Sequence, residues 1–192
     1  MAHKGHPFPA SQAWMLDNWV RRLLQPPSEL IKKLSITTND TVLDFGCGPG
    51  YYLPEIAKRA KAVIAVDISP EMIAKAQIKV SRAKAKNVRF LQTDGKSVDV
   101  TEGSIDKILL VTVYHEIGEN EAALKDFLRI LKDDGRLVVV EIVKKGRLPG
   151  GPIQNPETLK TEIEANGFKL EQMLPYKLFG MFFFAKAKSP QR

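Results

Sequence analysis

Along this chain, short runs of nearly continuous Val, Ile, Leu and Phe alternate with segments in which apolar residues return every three or four positions. The runs cover 41–45, 62–67, 88–92, 106–111, 136–143, 168–174 and 179–186. The early ones lack a polar face, as strands do when a parallel sheet is covered on both sides. Between them, Leu53, Ile56 and Ala57 share one helical face, as do Met72, Ile73 and Ala76, and then Leu124, Phe127, Leu128 and Leu131. This strand-helix alternation predicts an α/β fold with a Rossmann-like, doubly wound sheet.

Punctuation along the chain agrees with that division. Ser69-Pro70-Glu71 and Asn155-Pro156-Glu157 read as capped helix starts with proline in the first turn, and Asn166-Gly167 as a helix end. Asp133-Asp134-Gly135 reads as a turn into the fifth strand. Only 175–178 separate the last two strands, which predicts an antiparallel hairpin. The Gly- and Pro-rich stretch 144–154 reads as a loop at the carboxyl edge, where open α/β sheets bind ligands. Trp14, Leu16, Trp19, Val20, Leu23 and Leu24 suit an amphipathic helix, so 1–29 is expected to form a helical cap segment on the domain formed by 30–192.

Composition narrows the class. A length of 192 residues suits one domain with a substantial core. Neither a secretory leader nor a run long enough to cross a bilayer is legible, which predicts a cytoplasmic protein without membrane insertion. The single cysteine, Cys47, excludes an internal disulfide and a multi-cysteine zinc site, and no H-E-x-x-H pattern offers a metal. The net charge of +7 is spread along the chain. Its densest cluster, Lys79, Arg82, Lys84, Lys86 and Arg89, falls at an expected helix end, where cations complement the helix dipole.

The chemistry concentrates in Thr41-Val42-Leu43-Asp44-Phe45-Gly46-Cys47-Gly48-Pro49-Gly50, an apolar strand with an acid near its end and three glycines at alternate positions. Glycine permits a sharp bend and the close approach of a ligand. Dinucleotide folds space their glycines as G-x-G-x-x-G/A, but the third such position here is Tyr51. An acid just before the first glycine would repel a pyrophosphate, whereas S-adenosylmethionine carries a cationic sulfonium and ammonium and no phosphate. Asp67 closes the second strand, at about the twenty-residue interval where such folds place a ribose-binding carboxylate. Asp94, followed by Gly95, is placed to accept from an adenine amino group.

These residues resemble the class I S-adenosylmethionine-dependent methyltransferases, and within them the type 11 branch that includes the quinone-biosynthesis enzymes. The resemblance covers about 30–190 and implies a seven-stranded sheet, mostly parallel with an antiparallel last strand. It assigns the glycine motif to Asp44, Gly46, Cys47, Gly48 and Gly50, the ribose acid to Asp67, and the adenine segment to Ile68, Met72, Asp94 and Gly95. The segment 109–116 resembles the family's fourth strand, bringing Val111 and Thr112 to the cofactor. S-adenosyl-L-homocysteine would be the product.

Tyr114 and His115 follow that strand and are candidates to orient the acceptor or remove its proton, against the alternative of a loop histidine that only makes hydrogen bonds. Glu141 is a weaker candidate for contact with substrate, and His3 and His6 receive no role. Cys47, inside the glycine loop, reads as a packing residue, and Phe179, Phe182, Phe183 and Phe184 as core. The chain lacks the Asp/Asn-Pro-Pro-Tyr/Phe motif of amino-methyltransferases acting on adenine or glutamine, and the extra cysteines of cytosine-C5 and arsenite enzymes. A small-molecule acceptor is therefore expected, with an RNA or protein acceptor, or a non-catalytic binding module, as alternatives. The assembly is expected to be a monomer or homodimer.

Overall fold

A computed structural model describes residues 26–117, 121–143 and 153–187. The expected cap helix, His3, His6 and most of the 144–154 loop lie outside the described residues. Seven strands form one sheet in the order β3-β2-β1-β4-β5-β7-β6. They are β1 (Thr41–Phe45), β2 (Ala62–Asp67), β3 (Val88–Gln92), β4 (Ile105–Val111), β5 (Leu131–Ile142), β6 (Phe168–Tyr176) and β7 (Phe179–Lys186). β7 alone runs opposite to the other six strands, pairing antiparallel with β5 and β6, with Val139 opposite Phe182 and Leu137 opposite Phe184. The helices are α1 (Pro27–Lys33), α2 (Leu53–Ala57), α3 (Pro70–Arg82), α4 (Tyr114–Ile117), α5 (Glu121–Ile130) and α6 (Pro156–Ala165).

Successive strand residues point to opposite faces, and this divides the core in two. Val42, Val63, Ala65, Leu109 and Val111 pack with α1, α2 and α3 on one face. Leu43, Phe45, Val66, Ile108 and Leu110 pack with α5 and α6 on the other, joined by Phe182 and Phe184. Each central strand is thus apolar on both sides, the origin of the continuous hydrophobic runs. Of the four phenylalanines in the late run, Phe179, Phe182 and Phe184 are buried, and Phe183 packs partly buried against the first cluster. Ser69 caps α3 by accepting from Met72 N–H, and Asn155 caps α6 by accepting from Glu157 and Thr158 N–H. Lys79 and Arg82 occupy the last turn of α3, in keeping with the dipole reading of the basic cluster.

Three local expectations are corrected. The turn at Asp133-Asp134-Gly135 is instead an irregular stretch within β5, because the pairing with β4 shifts between Ile105↔Leu131 and Lys107↔Arg136. The extra residues let Lys132 reach Asp106 (2.7 Å) and Asp133 reach Lys186 (3.2 Å). β6 continues through Pro175 to Tyr176, leaving only Lys177-Leu178 in the turn; β6 is an edge strand, where a missing N–H is tolerated. Tyr114 and His115 lie in the short helix α4 and not in a loop. Among the described residues, no helix is long and apolar enough to cross a membrane.

The sheet order reverses direction between β1 and β4, which opens a crevice at their carboxyl ends. α3 flanks it, and Gly50 fixes how closely α3 approaches. Gly50 has φ +76°, and a Cβ there would lie 3.0 Å from both Cα and Cβ of Ala76. Gly50→Ala should therefore destabilise the fold by about 2–4 kcal/mol, combining left-handed strain with overpacking. Urea unfolding measures this, and a loss under about 0.5 kcal/mol would contradict the packing described.

Candidate active site

Five residues after Thr41, the chain leaves β1 and turns over the crevice. Gly46 and Cys47 both donate their N–H groups to Val66 O, at 2.8 and 2.9 Å, which holds the loop against the end of β2. Gly46 has φ +71°, and a Cβ there would stand 2.6 Å from Val113 Cγ2, so the loop sits directly on the residues after β4. Gly48 N–H donates to Asp67 Oδ2 at 2.8 Å, and Ser69 N–H donates to Asp67 Oδ1 at 2.9 Å. Asp67 therefore fastens the glycine loop and the start of α3 to one carboxylate. Each oxygen retains a second lone pair for a ligand.

The result is an open cleft of about 250 Å³. Of the residues singled out in the sequence, Asp44, Gly46, Cys47, Gly48, Asp67, Ile68, Met72, Asp94, Gly95, Val111 and Thr112 all line it. Gly50 does not; it lies behind the loop, against α3. Asp44 and Asp67 are 3% and 8% exposed, so their charges face the cleft through little water. Asp94 lies two residues beyond β3 and accepts from Lys96 and Ser97 N–H at 2.8 and 3.1 Å, which holds its carboxyl below the usual range. Cys47 is buried; burial first, then the charges of Asp44 and Asp67, push its thiol well above its ordinary value, so it stays protonated and packs.

Thr112 adopts φ +57°, a left-handed conformation rare for a β-branched residue. Its N–H donates to Val140 O (2.8 Å) and its hydroxyl to Val111 O (2.7 Å), which hold the strain. The bend throws Val113, Glu116 and Ile117 into the cleft wall. Sequence reasoning missed these, together with Phe45, Pro49, Tyr51, Tyr52 and Ser69. The Tyr51-Tyr52 doublet directly after the glycines, packed edge to face at 4.8 Å, was the legible signal.

The two candidates for acceptor chemistry do not line the cleft. Tyr114 is 1% exposed and its hydroxyl donates to Glu162 Oε2 on α6 at 3.0 Å. Burial, then Glu162, raise its phenol far above the usual range, and the hydrogen bond joins α4 to α6. His115 turns toward β5, its Nδ1 lying 3.2 Å from both oxygens of Glu141, which is 1% exposed and also accepts from His115 N–H at 3.3 Å. Glu141 thus contacts His115. Nε2 of His115 faces Glu116 Oε1 at 3.9 Å. Burial would lower the imidazole pKa, but the hydrogen bond and charge of Glu141, with the charge of Glu116, outweigh it and hold the value above 6.5.

A family model described as a methyltransferase domain matches residues 36–179. A demethylmenaquinone methyltransferase of Tropheryma whipplei is 36% identical over 111 residues, covering 57% of this chain and 45% of the relative. An arsenite methyltransferase of Halobacterium salinarum is 28% identical over 128 residues, covering 65% of this chain and 33% of the relative. The chain thus spans less than half the length of these curated relatives. A crystal structure of a SAM-dependent methyltransferase from Aquifex aeolicus superposes with TM-score 0.84 at 25% identity, covering 94% of this chain and all of that one.

Because the folded imidazole holds its proton more tightly than an unfolded one, the His115–Glu141 pair stabilises fully below about pH 6.5, and this is lost as pH rises through the folded value. Glu141→Gln should therefore cost more stability at about pH 6 than at about pH 9. Urea unfolding at both values reads the difference, and an equal cost at both would refute the pairing.

Proposed function

The chain belongs to the methyltransferase-domain family, and from that premise we propose that it transfers the methyl group of S-adenosylmethionine to a small-molecule acceptor. The observation that carries this reading is the cleft at the sheet's switch point, walled by Asp44 and Asp67 around a glycine loop, with no Lys, Arg or His among its described lining residues. Such a wall suits a cationic nucleoside and opposes a pyrophosphate, which would call for helix N-terminal N–H groups without a neighbouring acid. When bound, the donor supplies an electrophilic methyl carbon on a sulfonium.

In this reading Asp94, Gly95, Ile68 and Met72 receive the adenine, Asp67 the ribose hydroxyls, and Asp44 with the glycine loop the amino-acid end. Val111 and Thr112 close the cleft beside the thioether. The work of these residues is to hold two reactants at attack distance and to exclude water. The acceptor belongs with small metabolites in this proposal, in keeping with the demethylmenaquinone and arsenite methyltransferases among the relatives. The segment 1–29 is proposed as a cap over this domain.

Calorimetric titration tests the cofactor assignment. S-adenosylmethionine and S-adenosylhomocysteine should both bind, and Asp67→Asn should weaken each by about tenfold or more through loss of charge-assisted hydrogen bonding. Absence of binding to the unsubstituted protein would end the proposal. Incubation with methyl-labelled donor and a metabolite extract treated with nuclease and protease should label a small product. Label appearing only when RNA or protein is left intact would transfer the acceptor to that class.

A further inference from the structure

Glu116 is a cleft-lining carboxylate that the glycine motif, the ribose acid and the adenine segment leave without a task. Its position follows from topology. The adjacent strands β3, β2, β1 and β4 bring Asp94, Asp67, Asp44 and then α4 into one row along the sheet's carboxyl edge. A nucleoside held with its base at Asp94 and its ribose at Asp67 directs its thioether toward β1 and β4. Glu116 stands at that end, its side chain 31% exposed.

Glu116 is also backed by a connected chain of groups. His115 Nε2 lies 3.9 Å from Glu116 Oε1, and Nδ1 lies 3.2 Å from Glu141, whose side chain is 1% exposed. Glu141 anchors the imidazole within the sheet, and the imidazole presents its second nitrogen to Glu116. Thr112's left-handed bend sets the direction of this helix. Such an arrangement places an anchored imidazole beside the Glu116 carboxylate at the cleft wall.

We propose that Glu116 is the acceptor-facing carboxylate of this cleft, that it holds a neutral or cationic group bearing a removable proton, an amine or a hydroxyl, and that it receives that proton. This rests on the reading of the cleft as a S-adenosylmethionine site. A cationic amine first gives a proton to a Glu116 oxygen, which frees its lone pair. The lone pair of the neutral amine or hydroxyl then forms the new bond to the methyl carbon, the sulfur–carbon bond breaks with its electrons remaining on sulfur, and a neutral acceptor's proton passes to Glu116 as that bond forms. His115 and Glu141 are positioning residues. An anionic acceptor is disfavoured, since Asp44, Asp67 and Glu116 share the wall and no described cation lines it.

The ionisable groups around Glu116 shift its carboxyl in the direction that makes it a better proton acceptor. Burial raises its pKa above the usual carboxylate range; His115 from α4 opposes this, and Asp67 from β2 and Glu141 from β5 add to it. Asp44 on β1 lines the same cleft. His115 therefore restrains a shift that burial and two carboxylates, Asp67 and Glu141, would otherwise enlarge.

The test needs no acceptor. Sinefungin is an analogue of S-adenosylhomocysteine with a primary amine on carbon where the donor carries its methylsulfonium, so its ammonium marks the acceptor side of the site. The ratio of the two dissociation constants, sinefungin against S-adenosylhomocysteine, is measured by calorimetry for the unsubstituted protein and for Glu116→Gln. Glu116→Gln should shift that ratio by about tenfold against sinefungin, the usual worth of a charge-assisted contact. Glu141→Gln should lower the His115 titration midpoint by NMR and shift the ratio less. An unchanged ratio in Glu116→Gln, with both ligands still binding, overturns this inference alone. Failure of both ligands to bind the unsubstituted protein overturns the parent reading and this one together.

Discussion

One carboxylate governs the architecture of the cleft. Asp67 takes an N–H from Gly48 on one side and from Ser69 on the other, at 2.8 and 2.9 Å. The glycine loop has few side chains with which to hold itself, and the first turn of α3 starts from a capped but otherwise open end. Both are pinned to the tip of β2 by this single group, while Val66 O gathers the N–H groups of Gly46 and Cys47 beside it. A charge-assisted hydrogen bond in a poorly hydrated place is stronger than its counterpart at the surface. The shape of the cavity is therefore set before a ligand enters, which is the condition under which binding wastes little energy on ordering.

The same economy of charge explains an apparent contradiction. The chain is basic overall, with a net charge of +7, yet the described cleft wall carries acids and no cation. The basic residues sit where they neutralise other things: Lys79 and Arg82 at the carboxyl end of α3, Lys107 on Asp40, and Lys132 on Asp106. Among the described residues these cations lie outside the cleft, and their influence there is screened by solvent. Local potential, and not the net value, selects the ligand.

The sheet and the glycine-loop side of the cleft were legible because each depends on backbone periodicity or on residues close together in sequence. Asp44 through Gly50 is one uninterrupted string, and the strand runs of β1, β2 and β3 coincide with the observed elements. The rest depended on tertiary direction. Tyr114 and His115 directly follow β4, but the bend at Thr112 turns Tyr114 toward Glu162 and His115 toward Glu141, and sends Glu116 into the cleft. No sequence period encodes a left-handed threonine. The irregular start of β5 escaped notice for a related reason: Asp-Asp-Gly has turn chemistry, and only the shifted pairing with β4 shows that the strand absorbs it.

The hydrogen bond from Tyr176 to Glu29, at 3.0 Å, joins groups 147 positions apart. It clasps the helix through which the chain enters the domain to the final hairpin, with Lys177 also reaching Glu29 at 3.6 Å. Entry and closure are thereby fastened at one corner of the sheet, so the polypeptide behaves there like a belt with its buckle done up.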